Sequence, residues 1–98
     1  MVNQMGGTVY EGDIVGMQRS YKRIKSSFPV ATCYAAHVST YPGGYWLLGY
    51  GSKGLEPVAD LKADKWNELN IDTKYYNTEL HKTAFVHPNH VLKLLEEA

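Results

Sequence analysis

The chain has 98 residues, 44% of them hydrophobic and 20% charged, a balance that suits one small folded domain and excludes a disordered tail. Ten basic residues offset ten acidic ones, so no net field draws the chain to nucleic acid or to an anionic membrane, and neither is expected as a partner. The single thiol, Cys33, has no internal disulfide partner, no secretory leader is visible, and the longest near-apolar run, Val30 to Val38, falls short of the ~20 residues of a membrane span; the expected location is the cytoplasm.

A short strand is expected at Thr8 or earlier. From Glu11 to Ser27 the apolar residues Ile14, Met17, Tyr21, Ile24 and Phe28 recur at steps of three and four, which predicts a helix with Arg19, Lys22, Arg23 and Lys25 on its wet side and Pro29 as its stop. The period then changes to two. Val30 to Val38 reads as a strand, Tyr41-Pro42-Gly43-Gly44 carries turn chemistry, and Tyr45 to Ser52 reads as a second strand that must lie antiparallel to the first. Both faces of that hairpin are apolar, so both need cover, although few helices are available to supply it.

Beyond Pro57, a weaker helix is expected from Val58, Leu61, Lys65, Trp66 and Leu69, followed by an irregular stretch from Ile71 to Tyr76. Asn77 is suited to cap a short turn covering Glu79 to Phe85. Pro88, at a first helical position, opens a last helix with Val91, Leu92, Leu94 and Leu95 turned inward.

Several patterns resemble chemistry. Gly49-Tyr50-Gly51-Ser52-Lys53-Gly54 matches the dinucleotide fingerprint, but its glycines fall inside a strand and Leu55-Glu56-Pro57 stands where a phosphate-binding helix would begin; small residues at a strand end are the simpler reading. His87-x-x-His90 with His81 invites a metal, yet no Cys or carboxylate stands at ligand spacing, and surface or capping roles are expected; no metal is predicted. Cys33 and His37, four apart on a strand, lie about 13 Å from each other, too far for a nucleophile and its base. Tyr41, Tyr45 and Trp46 surround the Pro-Gly-Gly turn, where aromatic faces either cradle a cation or only brace the turn.

The run Ser39-Thr40-Tyr41-Pro42-Gly43-Gly44-Tyr45-Trp46, followed by Gly51-Ser52-Lys53, resembles the T-Y-P-S-G-x-W... S-K segment of the spermidine synthases, the polyamine aminopropyltransferases. The tail Asp72-Thr73-Lys74-Tyr75-Tyr76-Asn77, then His81-Lys82-Thr83-Ala84-Phe85-Val86 and Pro88, is similar to that family's closing segment, and Met1-Val2-Asn3-Gln4 to its sheet strand ending in glutamine. The resemblance implies that residues 1–98 are a single partial domain, the C-terminal third of the catalytic domain. Its implied fold is α/β: the C-terminal part of a Rossmann-like, class I methyltransferase-like sheet, with a helix, an antiparallel β-hairpin and short helices.

The implied reaction moves an aminopropyl group from decarboxylated S-adenosylmethionine, a co-substrate rather than a cofactor, to putrescine. Gln4, Tyr41 and Trp46 are the substrate-binding residues that carry over. Gln4 matches a glutamine near the amine, Tyr41 a tyrosine that orients it, and Trp46 an aromatic wall. No catalytic residue carries over: the family's aspartate loop and its glycine-rich nucleoside turn have no counterpart in these 98 residues, so the chain alone is expected to be inactive. Gly43, Ser39 and His87 depart from the family's serine, proline and leucine. The alternatives are a non-enzymatic truncated paralogue or subunit pairing with itself or another chain, and agmatine or another diamine as acceptor. A homo-oligomer or a missing N-terminal portion is the expected partner.

Overall fold

The apolar face read between Ile14 and Phe28 folds as helix α1, Glu11–Ser27, which buries Met17 and Ile24 completely or nearly so and leaves Arg19, Lys22, Arg23 and Lys25 exposed. The computed structural model describes residues 1–7, 11–38, 40 and 44–98, without the side chains at 4, 6, 7 and 11–13. Strand β1 spans Val2–Gly7, β2 Val30–His37 and β3 Tyr45–Ser52, close to the expected bounds.

The three strands form an antiparallel sheet in the order β1-β3-β2. β2 and β3 make the predicted hairpin in unbroken register from Val30↔Ser52 to His37↔Tyr45. Its mouth closes where the Val38 N–H donates to the Gly44 carbonyl at 2.9 Å, and Gly44 takes the positive φ of 64° that a side chain would resist. β1 pairs on the other side of β3, with a register shift between Gln4 and Gly6.

Period two splits β3 between two faces. Leu47, Gly49 and Gly51 are buried toward α1, and Trp46, Leu48 and Tyr50 stand half-buried on the opposite side. The glycines bring the layers close: a Cβ at Gly49 would meet Ile24 Cδ1 and Asn3 Oδ1, and one at Gly51 the Phe28 ring. That close approach accounts for two glycines of the fingerprint-like run without any nucleotide.

Three short helices follow. α2 is only Ala63–Glu68, buries no residue and has no side-chain cap, so it is shorter than its apolar spacing suggested; Val58 and Leu69 are exposed. α3, Thr78–Ala84, starts as expected, with Asn77 Oδ1 accepting from the Leu80 N–H at 2.7 Å. α4, Asn89–Glu96, begins after Pro88, which sits at the N-cap rather than at the first helical position. Val91 and Leu95 point inward and Leu94 packs half-buried against the core, but Leu92 is 49% exposed, because only the stripe through Val91, Leu94 and Leu95 meets the core. Gln18 Nε2 donates to the Leu94 carbonyl at 2.9 Å, tying α4 to α1. The core is therefore one-sided: Met5, Met17, Ile24, Cys33, Leu47, Val91 and Leu95, between the sheet, α1 and α4.

Candidate functional site

The sheet face turned away from α1 is lined with rings. Tyr34 of β2 and Tyr50 of β3 both meet Phe85, at centroid separations of 5.4 and 6.3 Å. Over them folds the segment that follows β3. Ser52 Oγ accepts from the Leu55 N–H at 2.8 Å, the Tyr50 hydroxyl donates to the Leu55 carbonyl at 2.9 Å, and Asp60 Oδ2 accepts from the Glu56 N–H at 2.6 Å. Between this segment and the sheet lies an open cleft of about 530 Å³, lined by Tyr34, Tyr50, Leu61, Tyr76, Leu80 and Phe85 among others.

His81 fixes the cleft's outer wall. Its Nε2 lies 2.7 Å from the Pro57 carbonyl, which can only accept, so Nε2 carries the proton. In the neutral ring Nδ1 is then an acceptor, and it receives the Tyr76 hydroxyl at 2.8 Å. Tyr76 in turn stacks edge-on against Trp66 at 5.2 Å. One imidazole thus joins α3, the loop at Pro57 and the irregular stretch before α3.

The sequence-derived site residues are placed unequally. Trp46 is half-buried at the start of β3, opposite Ala36 of β2 and Gly7 of β1, and is not part of the cleft wall. Gln4 lies in β1 opposite Leu48, two positions from Trp46 along β3, with its side chain outside the description. Tyr41, with Pro42 and Gly43, lies outside the described residues. Sequence reasoning missed the ring-lined cleft itself; the abundance of tyrosine was its only signal.

Cys33 is buried, as a small core residue should be, and burial pushes its thiol up to about 12, so it stays protonated at neutral pH. Its neighbour is His87 rather than His37. His87 Nε2 donates to the Cys33 carbonyl at 2.9 Å and lies 3.6 Å from its sulfur. Burial also raises the Tyr34 hydroxyl; burial and then Cys33 raise those of Tyr21 and Tyr45. Among the described residues, no three His, Cys, Asp or Glu side chains gather as a metal would require, and no helix is long and apolar enough to cross a membrane. His81 and His87, which the sequence suggested as surface or capping groups, serve instead as part-buried clasps between distant segments.

No protein-family model matches the chain. It is 52% identical over 97 residues to the polyamine aminopropyltransferase of Clostridium perfringens strain ATCC 13124 and 46% identical to that of Alkaliphilus oremlandii. These alignments cover 98% and 99% of this chain but 34% of each relative, so the chain spans about a third of their length. The crystal structure of spermidine synthase from Thermotoga maritima superposes with a TM-score of 0.89 at 34% identity, over 97% of this chain and 33% of that one. A spermidine synthase in complex with the transition-state analogue AdoDATO gives 0.90 at 33% identity, over 99% and 33%. The sheet, helix and hairpin are thus those of a Rossmann-like, methyltransferase-like fold, and this chain corresponds to the C-terminal portion of the polyamine aminopropyltransferases.

Proposed function

We propose that residues 1–98 are one partial domain forming the acceptor-amine side of a polyamine aminopropyltransferase. The enzyme transfers an aminopropyl group from decarboxylated S-adenosylmethionine to putrescine. The observation that carries this reading is the likeness, at a TM-score of 0.90, to a spermidine synthase bound to a transition-state analogue. In the reaction an amine nitrogen attacks the carbon beside a sulfonium. A C–N bond forms, the C–S bond breaks, its electron pair goes to sulfur as methylthioadenosine departs, and the amine proton goes to a base. An alkylammonium titrates near pH ~10, so it binds charged and must lose a proton before it attacks.

In this reading Trp46 offers a ring face to the cation, Gln4 a side-chain carbonyl and Tyr41 a hydroxyl. The base and the nucleoside site come from outside these residues, from the longer relatives' remaining portion. Putrescine is the acceptor; agmatine or another diamine is the alternative.

The test is to supply putrescine and decarboxylated S-adenosylmethionine to the chain alone and to the chain mixed with the complementary two thirds of the Clostridium perfringens relative. Methylthioadenosine is expected only from the mixture, and less of it with Trp46→Ala. Turnover by the chain alone, or none from a stable complex, would overturn the proposal. Val2, Leu55 and Tyr75, exposed by 53%, 66% and 50% around the cleft, favour a second reading, a non-enzymatic subunit that pairs with itself or another chain. Size-exclusion chromatography across concentrations checks it, and a monomer throughout would remove self-pairing.

A further inference from the structure

We infer that Tyr75 is a positioning residue: its hydroxyl fixes the mouth of the β2–β3 hairpin and, through it, the ring of Trp46. The inference rests on the proposed function for what Trp46 binds, and not for what Tyr75 holds.

His37 and Tyr45 are the last pair of the hairpin's register, and the Val38 N–H, donating to the Gly44 carbonyl, closes the ladder just beyond them. Ladder ends open most readily, because a pair there has neighbours on one side only. In an antiparallel ladder successive N–H groups point alternately inward and outward, so with Val38 bonded inward the His37 N–H points out of the hairpin. It donates to the Tyr75 hydroxyl at 3.0 Å, 38 positions later in the chain. The rings of His37 and Tyr45 meet edge-on at 6.2 Å. The mouth is thus held by its own ladder, by a ring pair, and by one hydroxyl from a distant segment.

Tyr75 is 50% exposed, so burial does not place its ring. Its segment is neither helix nor strand, yet the next residue is fastened twice: the Tyr76 carbonyl accepts from Thr73 Oγ1, and the Tyr76 hydroxyl donates to His81 Nδ1. His81 is itself tied to the Pro57 carbonyl, so Tyr75 projects from an anchored stretch of backbone. The pair it holds adjoins Trp46, which follows Tyr45 in β3 and lies opposite Ala36, the residue before His37. A ring attracts a cation through its face, so the contact depends on how the ring is turned, and a mouth free to open would spread Trp46 over several orientations. One such hydrogen bond shifts an equilibrium by about three- to tenfold.

The experiment compares the wild type with Tyr75→Phe and Tyr50→Phe. Each variant keeps its ring and loses one hydroxyl bond, that of Tyr50 running to the Leu55 carbonyl near the other end of β3. Amide exchange, residue by residue, and the Trp46 indole resonance are followed in the 98-residue chain. In Tyr75→Phe the His37 and Val38 amides are expected to exchange about three- to tenfold faster and the indole resonance to shift, while the Leu48 amide, in mid-ladder, keeps its protection. In Tyr50→Phe the His37, Val38 and Trp46 signals are expected to stay in place. If Tyr75→Phe loses Leu48 protection, the wild type decides: His37 must exchange at least about threefold more slowly than Ala35, whose N–H points outward by the same alternation. In the mixture with the complementary two thirds of the Clostridium perfringens relative, Tyr75→Phe is expected to raise the KM for putrescine by about three- to tenfold and to leave kcat and the KM for decarboxylated S-adenosylmethionine unchanged. A chain that is merely destabilised lowers the rate at unchanged KM. No turnover by the wild-type mixture defeats the proposed function and leaves the exchange measurement to decide on Tyr75. Unmoved His37 and Trp46 signals in Tyr75→Phe, the same changes in Tyr50→Phe, or a lowered kcat at unchanged KM overturns the inference.

Discussion

The two faces of the sheet are finished to different degrees. Against α1 and α4, Met17, Leu47 and Val91 have no exposed surface, Cys33 and Ile24 have almost none, and two glycines remove the side chains that would hold the layers apart. The opposite face carries an open cleft, rings left half-buried and a cover of short segments fastened by single hydrogen bonds from His81, Tyr50 and Asp60. Apolar burial makes the first face self-sufficient, whereas the second relies on directional contacts that each contribute about 1 kcal/mol. The lesson is that residues 1–98 complete the scaffold on one side of the sheet and leave its other side receptive. Surface open to a ligand or to further chain belongs there.

The sharpest way to break this contrast is a matched pair of truncations on neighbouring residues of β3. Leu47→Ala should cost about 2–5 kcal/mol because it empties a fully buried site, and Leu48→Ala, on the half-buried face, clearly less. Urea denaturation followed by circular dichroism measures both, and equal losses would mean that the two faces are equally packed. Next in size, Gly49→Ala adds a methyl group where Ile24 Cδ1, Asn3 Oδ1 and Met5 Sδ already sit, an overpacking expected to cost about 1–3 kcal/mol. The same substitution at Gly54, where a Cβ would meet nothing, is its control.

The smallest effect at neutral pH is the titration of Cys33. Its thiol is raised from 9.0 to about 12 by burial, so the folded chain holds a proton that the unfolded chain releases. That contribution is whole below pH 9 and is lost as pH rises toward 12. Thermal melts should therefore show a midpoint falling across that window, more gently in Cys33→Ala. Identical slopes would show that the thiol is not shielded as the packed face requires.

Much of the scaffold was legible because its signals are local. α1 kept its predicted bounds since an apolar stripe, a basic wet face and Pro29 all agree, and Asn77 capped α3 as its side chain is suited to do. α2 fell short because none of its residues is buried and Lys62 provides no side-chain cap. Leu92 faces water because only one stripe of α4 reaches the core. The ring-lined cleft was not legible, since Tyr34, Tyr50, Tyr76 and Phe85 meet only after the chain has folded back over the sheet.

By itself, then, the sequence determined the helix, the antiparallel hairpin and the family likeness, because periodicity, turn chemistry and motif order are written along the chain within a few residues of where they act. Tertiary structure alone decided that β1 pairs with β3, from Val2 with Tyr50 to Gly7 with Trp46, that His87 clasps the Cys33 carbonyl 54 positions away, and that His81 reaches Pro57 across 24. No local pattern encodes such pairs. They form where packing brings a donor to a backbone carbonyl that would otherwise be left without a partner.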